Sequence, residues 1–257
     1  MLPKNNKTLV GSYVAGIVIG RNDGARLVAC LDALQGQVAR VDYVDSGSTD
    51  GSHDAARARG AELVVLDMTQ PFTAARARNA GSDPLRAVAP VPAYVQVLAG
   101  DCRLHSGWIA TARSFLETHP EVAGACGRRR EEFPEDSVYN RLIDAEWDTP
   151  VGQARSCGGD ALMRMAALDA VGGYNPDLIA GEEPELCVRL RAKGWLVWRI
   201  DTEMTLHDAA MTRFGQWWQR TRRGGYAFAE GVALHGAPPE RHCVAPLRRI
   251  IFWGLLL

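Results

Sequence analysis

Short apolar runs alternate with helical stretches through the first hundred residues, and this alternation constrains the fold most. The runs YVAGIVIG (13–20), VDYVD (41–45) and AYVQVLAG (93–100) have the length and composition of buried strands. Between the first two, apolar residues in the segment 25–37 recur every three or four positions, as on one face of a helix. Strands and helices that alternate in this way pair in parallel through right-handed crossovers. We therefore predict an α/β fold on an open, mostly parallel, doubly wound sheet.

Three aspartates follow three of the predicted strands. Asp23, Asp45 and Asp101 each lie at or just after the end of an apolar run. Open α/β sheets bind ligands beyond the carboxyl ends of their strands. We expect the three acids to gather at one edge of the sheet and to form part of a binding cleft.

The second half of the chain is less regular. Helices are predicted at 106–120 and at 181–195, where Pro184 suits the first turn. The stretch 122–142 combines a short strand, a charge cluster and a proline-bearing turn. The stretch 157–174 is expected to form a glycine turn and then a helix that ends at its paired glycines.

Composition limits the classes of function that suit this chain. Its 257 residues, 47% of them hydrophobic, can bury the core of one large domain or of two intimately packed domains. With 29 basic and 30 acidic residues, the net charge of -1 gives no reason to expect a nucleic acid partner. The six cysteines show no zinc-ligand spacing, which favours reduced thiols in a cytoplasmic-type compartment.

The apolar run Leu9–Ile19 has two interpretations, the core of a signal peptide and a first β-strand. Lys4 and Lys7 precede it, as basic residues precede the core of a signal peptide. The run leads into the polar residues 21–23 without a small-residue cleavage site, which favours a first β-strand.

The C-terminal segment 212–257 is basic and aromatic. Its run PLRRIIFWGLLL (246–257) is shorter than the ~20 residues that span a bilayer, so either the protein stops at the membrane surface or a longer apolar segment begins here. We predict helices that contact a membrane surface peripherally. The alternative is a helical subdomain whose aromatic residues pack on the core. The residues concerned are Arg213, Arg220, Arg222, Arg223, Arg241, Arg248 and Arg249, with Phe214, Trp217, Trp218, Tyr226, Phe228, Phe252 and Trp253.

Several motifs occur together in a fixed order. They are DSGSTDGS (45–52), ARNAG (77–81), AGDCRLHSGW (99–108), CGGDALMRMAALDAVGGY (157–174), GEEPELCVRLRAKGW (181–195) and His207. Over residues 12–210, the order and spacing resemble those of family 2 glycosyltransferases, which are inverting enzymes of the Rossmann-like GT-A fold. The resemblance implies a transferase domain at 1–211, with a nucleotide half at about 12–104 and an acceptor half at about 105–211. Residues 212–257 would form a separate C-terminal helical segment.

The resemblance also implies a metal site and a catalytic base. A diphosphate leaving group needs a divalent cation, Mn²⁺ or Mg²⁺. Asp101 matches the second acid of the family's DxD motif, and His207 matches a histidine that completes the metal site; Asp208 is its neighbour. In the acid pair, Glu183 stands at the usual position of the base and Glu182 is the second candidate. Both acids could instead only stabilise the start of a helix.

For the nucleotide, the resemblance implies contacts from the loop Gly20, Arg21, Asn22 and Asp23. Asp45 matches an acid that accepts a hydrogen bond from the uracil ring. It could also, with Asp50, cap the helix that follows.

Other positions are matched to the diphosphate and the sugar. Arg78 stands where a cation near the nucleotide is expected, and Gly158 and Gly159 match the segment beside the donor sugar and the acceptor. The charge cluster 128–132 is either a solvated face or a surface that attracts an anionic acceptor.

The chain departs from the family pattern at Ala99, where many members carry an acid. Natural variation, a degenerate enzyme and an engineered substitution all explain an alanine here. One carboxylate, one imidazole and the diphosphate remain to hold the ion, since such ions take few protein ligands when phosphates are present.

These observations together predict an inverting glycosyltransferase. It would move a sugar from a nucleoside diphosphate-sugar, preferentially a UDP-sugar, to a hydroxyl of a lipid-linked or polysaccharide acceptor at the inner face of the membrane. A non-catalytic nucleotide-sugar-binding protein is the main alternative, because of Ala99. A nucleotidyltransferase fits less well, because GRNDGARL (20–27) is a poor triphosphate loop.

Overall fold

The computed structural model describes residues 10–256, and the expectations for Leu9, Lys4 and Lys7 lie outside this range. Within it the strands are β1 (Val10–Gly20), β2 (Arg40–Asp45), β3 (Glu62–Val65), β4 (Val91–Ala99), β5 (Cys102–Leu104), β6 (Val122–Glu131), β7 (Gly152–Ala154), β8 (Ala161–Arg164) and β9 (Leu196–His207). The helices are α1 (Ala25–Leu34), α2 (Ser52–Ala58), α3 (Ala74–Ala87), α4 (Trp108–Thr118), α5 (Val138–Trp147), α6 (Met165–Ala170), α7 (Glu182–Ala192), α8 (Phe214–His235) and α9 (Val244–Gly254).

All the described strands belong to one sheet, with the order β3-β2-β1-β4-β8-β6-β9-β5 and with β7 paired to β9. The strands β1 to β4 pair in parallel, which confirms the predicted α/β arrangement of the first half. The second half is mixed: β6 and β9 are parallel, whereas β8 runs antiparallel to β4 and β6. The strands β5 and β7 pair antiparallel to β9.

Two predictions for the second half need correction. The tetrapeptide ALMR, expected in a helix, is β8, and the helix that follows it is the short α6. The strand expected to be short is β6, which continues through the charge cluster as far as Glu131. That strand passes Gly127, where a β-carbon would lie 2.6 Å from the ring of Trp108. A glycine therefore lets β6 bend over the core and continue.

The helices α8 and α9 form the predicted C-terminal helical segment. A β-carbon on Gly181, which precedes α7, would lie 3.0 Å from that of Ala227 in α8. Nε2 of His235 lies 3.0 Å from Oε1 of Glu185, so α8 is also held to α7 by a polar contact. Among residues 10–256, no helix combines the length and the apolar character needed to cross a membrane.

Candidate active site

The end of β9 brings His207 to Asp101. The antiparallel pairing of β5 with β9 sets Cys102 opposite His207, so the residue before Cys102 lies beside the imidazole. Nε2 of His207 is 3.1 Å from Oδ2 of Asp101. Both side chains are partly exposed at the edge of the sheet. The two predicted metal ligands, distant in sequence, therefore meet in space.

The contact also sets the charge of Asp101. Burial alone would raise the pKa of this carboxyl, but the hydrogen bond from His207 and its charge outweigh burial and lower the pKa. Asp101 is therefore ionised at neutral pH, as a metal ligand must be.

The spacing of the pair fits a small divalent cation. Two ligands at right angles around an octahedral ion, each ~2.1 Å from it, lie about 3.0 Å apart. The observed 3.1 Å between Asp101 and His207 is compatible with this separation once Nε2 of His207 gives up the proton that it shares with Asp101. The thiol of Cys102 lies in the same cluster of potential ligands, but burial raises its pKa well above the usual value, which leaves it protonated. The oxygen and the imidazole nitrogen are thus the atoms suited to Mn²⁺ or Mg²⁺.

The imidazole of His207 packs against Trp147, which in turn packs against Arg129. The rings of Trp147 and His207 have centroids 4.8 Å apart. The guanidinium of Arg129 lies 5.0 Å from the centroid of Trp147, and its NH2 pairs with Oδ2 of Asp160 at 2.7 Å. Because Asp160 is fully buried, this ion pair anchors Arg129 firmly.

The acid pair lies at the start of α7, as predicted, and shares one arginine. Arg78 NH1 donates to Oε1 of Glu182 at 2.6 Å, and Arg78 NH2 lies 2.8 Å from Oε1 of Glu183. The Arg78 side chain is 5% exposed and also lies over the ring of Tyr174. Arg78, predicted near the nucleotide, is therefore engaged with both candidate bases.

Glu183 has the electrostatic setting of a base. Burial raises its pKa above the ordinary value, the charge of Arg78 opposes that rise, and the charge of Glu182 adds to it. The approach to Glu183 requires a glycine: a β-carbon on Gly159 would lie 2.9 Å from Arg78 NH2 and 3.1 Å from Oε1 of Glu183. The neighbouring Gly158 is exposed on the same segment.

A continuous set of side chains joins the acid pair to the metal candidates. The position of a Gly159 β-carbon is 3.6 Å from Arg129 NH2 as well as 3.1 Å from Glu183. Arg129 contacts Trp147, and Trp147 contacts His207. Glu183 and Arg129 thus face the same glycine, and Arg129 leads through Trp147 to His207.

The loop after β1 is fastened to the turn after β2. The N–H of Asn22 donates to Oγ of Ser48 at 2.9 Å, and the N–H of Thr49 donates to Oδ1 of Asn22 at 2.8 Å. The N–H of Gly24 donates to Oδ2 of Asp50 at 3.0 Å. Asn22 therefore organises the loop, and its amide oxygen is occupied within the protein.

A surface cleft of about 180 Å³ lies between this loop and Asp101. Gly20, Arg21, Asp23 and Ala99 line it, together with Phe72. Burial and the nearby charge of Asp101 raise the pKa of Asp23 to about 6. The structure thus brings Asp23 and Asp101 together as predicted, in a cleft whose wall at residue 99 has no carboxylate.

Asp45 lies below this cleft and is 1% exposed. Its Oδ2 accepts hydrogen bonds from the N–H groups of Gly47 and Ser48, both at 2.9 Å, and lies 2.9 Å from Nε2 of His53. These bonds, led by Ser48, outweigh burial and lower the pKa of Asp45 to about 2. In this structure Asp45 holds the turn after β2 and does not cap α2, whose N-cap Gly51 has no side-chain capping bond. Its Oδ1 accepts only from Tyr43 at 3.2 Å within residues 10–256.

Sequence reasoning missed three residues near the site. Arg129 was considered only as part of a charge cluster, and Trp147 and Phe72 were not singled out. Phe72 is 47% exposed and lines the nucleotide-side cleft. Its place before the ARNAG motif was the only available signal, whereas the position of Trp147 depends on tertiary packing.

The fold recurs in solved glycosyltransferases. A mannosyltransferase from Pyrobaculum calidifontis, solved with GDP-Man and Mn²⁺, aligns with a TM-score of 0.65 at 20% identity, over 91% of this chain and 67% of that one. Glucosyl-3-phosphoglycerate synthase from Mycobacterium tuberculosis, in complex with phosphoglyceric acid, aligns with a TM-score of 0.64 at 16% identity, over 89% and 81% of the two chains. At these identities the likeness establishes the GT-A fold.

Sequence comparison supplies the family. The succinoglycan biosynthesis protein ExoA of Rhizobium meliloti (strain 1021) is 26% identical over 240 residues, which cover 88% of this chain and 72% of that protein. The family model described as "Glycosyl transferase family 2" matches residues 17–168, more than half of the chain. The protein therefore belongs to glycosyl transferase family 2 and is a glycosyltransferase.

Proposed function

We propose that this protein is an inverting, metal-assisted transferase that uses a UDP-linked sugar donor. Its acceptor would be a hydroxyl of a lipid-linked or polysaccharide glycan, in keeping with the name of the succinoglycan relative. The observation that carries the proposal is the 3.1 Å pairing of Asp101 with His207 at the sheet edge, joined through Trp147 and Arg129 to the desolvated Glu183.

Asp101 and His207 would hold the cation. A bound Mn²⁺ or Mg²⁺ would neutralise the charge that develops on the leaving diphosphate. Trp147 restrains the imidazole from the side, so His207 needs little reorganisation to bind. Ala99 leaves this set one carboxylate smaller than the family pattern, and we expect a functional site of reduced metal affinity.

Glu183 would take the proton of the acceptor hydroxyl. Its raised pKa suits proton uptake, because burial makes the protonated form easier to reach. The charge of Arg78 favours the ionised form of Glu183, and its 2.8 Å contact orients the carboxylate. Glu182, held by the same guanidinium, would chiefly position Arg78 and is the second candidate for the base.

The donor nucleotide would lie against the loop 20–23. Phe72, exposed beside that cleft, offers an aromatic face on which a base can stack. Asp45 sets the shape of the floor through its turn, and a uracil that reaches it would meet Oδ1, the less occupied oxygen. Gly158 and Gly159 would let the sugar approach the backbone closely.

The C-terminal segment 212–257 would rest on the inner face of the membrane. Its large apolar side chains are exposed: Phe252 is 58% exposed and Trp253 is 62% exposed. Arginines on the same helices suit an anionic lipid surface. Because α8 contacts Gly181 beside the acid pair, a membrane-bound α8 would place the site near lipid-linked acceptors.

Calorimetry with UDP, with and without Mn²⁺, followed by a donor hydrolysis assay, tests the proposal. We expect UDP binding that strengthens with Mn²⁺ and slow hydrolysis of a UDP-sugar. Metal-dependent binding with no turnover of any donor, even after Ala99→Asp restores the acid, would favour a non-catalytic nucleotide-sugar-binding protein. No binding of UDP or any other nucleoside diphosphate would contradict both.

A further inference from the structure

A second cavity lies between β6, the end of α5 and the segment that precedes β8. Its volume is about 190 Å³. Arg129, Trp147, Gly158 and Arg199 line it, together with the carboxylates of Asp160 and Glu146. Glu183 itself does not line the cavity, but Gly158 adjoins Gly159, the glycine that faces Glu183, so the cavity lies near the proposed base.

Arg199 is an unusual member of this lining. The residue is 4% exposed, yet it makes no ion pair with any carboxylate in residues 10–256. One terminal nitrogen donates to the carbonyl of Trp147 at 3.2 Å and to the hydroxyl of Thr149, which are neutral acceptors. Its Nε has no hydrogen-bond partner within the described residues.

The guanidinium of Arg129, which lines the same cavity, differs from that of Arg199 in having a counter-charge. Arg129 is paired with the buried Asp160, so its charge is compensated inside the protein. A buried guanidinium without a counter-charge is costly, and an oxyanion that binds beside it removes that cost. Of the two guanidinium groups in this cavity, Arg199 is therefore the one that an anionic ligand would stabilise.

We propose that this cavity is an acceptor subsite for a glycan that carries an oxyanion, with Arg199 as the residue that pairs with it. A carboxylate on an acidic sugar and a phosphate ester each present two oxygens that a guanidinium can bind side by side. The proposal rests on the proposed transferase function, because the cavity matters through its position near Glu183.

The subsite is tested by ligand-observed NMR titrations of three probes against the full chain saturated with UDP and Mn²⁺. The probes are methyl β-D-glucuronide, glucose 6-phosphate and neutral methyl β-D-glucoside. Saturation with UDP keeps the phosphate probe out of the diphosphate site. We expect at least one anionic probe to bind about tenfold more tightly than the glucoside, and the better of the two identifies the oxyanion.

Two variants locate the effect. Arg199→Gln should remove the preference for the anionic probe, whereas Arg130→Gln, at an exposed arginine paired with Glu203, should retain it. Should Arg199→Gln fail to fold, Arg199→Lys keeps the charge and should retain the preference with weaker binding. Equal binding of all three probes, or an anion preference that survives in folded Arg199→Gln, overturns the subsite. Binding of UDP, measured on the same samples, reports separately on the proposed function.

Discussion

Nε2 of His207 lies 3.1 Å from Oδ2 of Asp101, and the pairing of β5 with β9 fixes this relationship through the backbone. His207→Ala should therefore weaken Mn²⁺ binding in the presence of UDP by about tenfold or more, since one of two protein ligands is lost. Electron paramagnetic resonance of free Mn²⁺ measures the change. Asp208→Asn is the matched control and should bind Mn²⁺ normally; the opposite order of effects would assign the metal to Asp208.

Ala99 leaves room for a carboxylate on the cleft that Asp23 and Asp101 line. Ala99→Asp should tighten Mn²⁺ binding with UDP by about tenfold, because it adds an oxygen ligand for the cation or the ribose. Titration of donor hydrolysis with Mn²⁺ reports the change. Unchanged or weaker Mn²⁺ dependence would mean that position 99 does not face the bound metal or nucleotide.

Glu183→Gln should lower transfer by roughly 10²- to 10⁴-fold, the usual contribution of a general base. The amide oxygen of glutamine can still accept from Arg78, so UDP binding should stay nearly intact. Glu182→Gln is the matched variant on the same arginine and should lose far less activity. Normal turnover by Glu183→Gln would show that Glu183 is not the base. A loss of activity confined to Glu182→Gln would assign the base to Glu182.

The pH dependence of transfer should follow the ionisation of Glu183. Its pKa is raised by burial, and the base works only when ionised, so the rate falls as pH drops through that pKa. Arg78 lowers the same pKa, so Arg78→Gln should move the acidic limb of the rate profile to higher pH. Rate profiles of both proteins measure this, with circular dichroism as a check on folding. A limb that stays in place would exclude coupling between Arg78 and the base.

Asp23 should destabilise the protein at neutral pH. The pKa of Asp23 is about 6 in the folded protein and 3.8 ordinarily. Above pH 6 the carboxylate is ionised in the folded and the unfolded state, and the folded state holds that charge less favourably. Asp23→Asn should raise the free energy of unfolding at pH 7.5 by about 2 kcal/mol and have little effect at pH 3. Denaturant unfolding at the two pH values measures the difference. Equal effects at both would exclude an electrostatic cause.

The elements of the first half could be predicted because each carries its own signal. The runs that became β1, β2 and β4 are apolar along their length, and the residues of α1 recur at helical spacing. In contrast, the four-residue β8 is too short for periodicity to distinguish a strand from a helix. Its assignment depends on pairing with β4 and β6, which sequence does not reveal.

In the candidate site, too, some residues could be predicted from sequence and others depend on contacts made in the fold. Asp101, His207 and the acid pair could be proposed from sequence, because they belong to a series of motifs whose order and spacing resemble those of the family. Sequence does not reveal the neighbours of Arg78 and Asp45, because only folding supplies them: Arg78 meets Glu182 and Glu183, and Asp45 meets the N–H groups of its own turn.

A crystal structure with Mn²⁺ and a UDP-sugar tests the central claim most directly, through the anomalous signal of manganese. The account predicts one manganese peak about 2.0–2.3 Å from both Oδ2 of Asp101 and Nε2 of His207, with the diphosphate on the same ion and Glu183 facing the sugar. A manganese ion and diphosphate bound away from this pair, or a sugar walled off from Glu183, would contradict it.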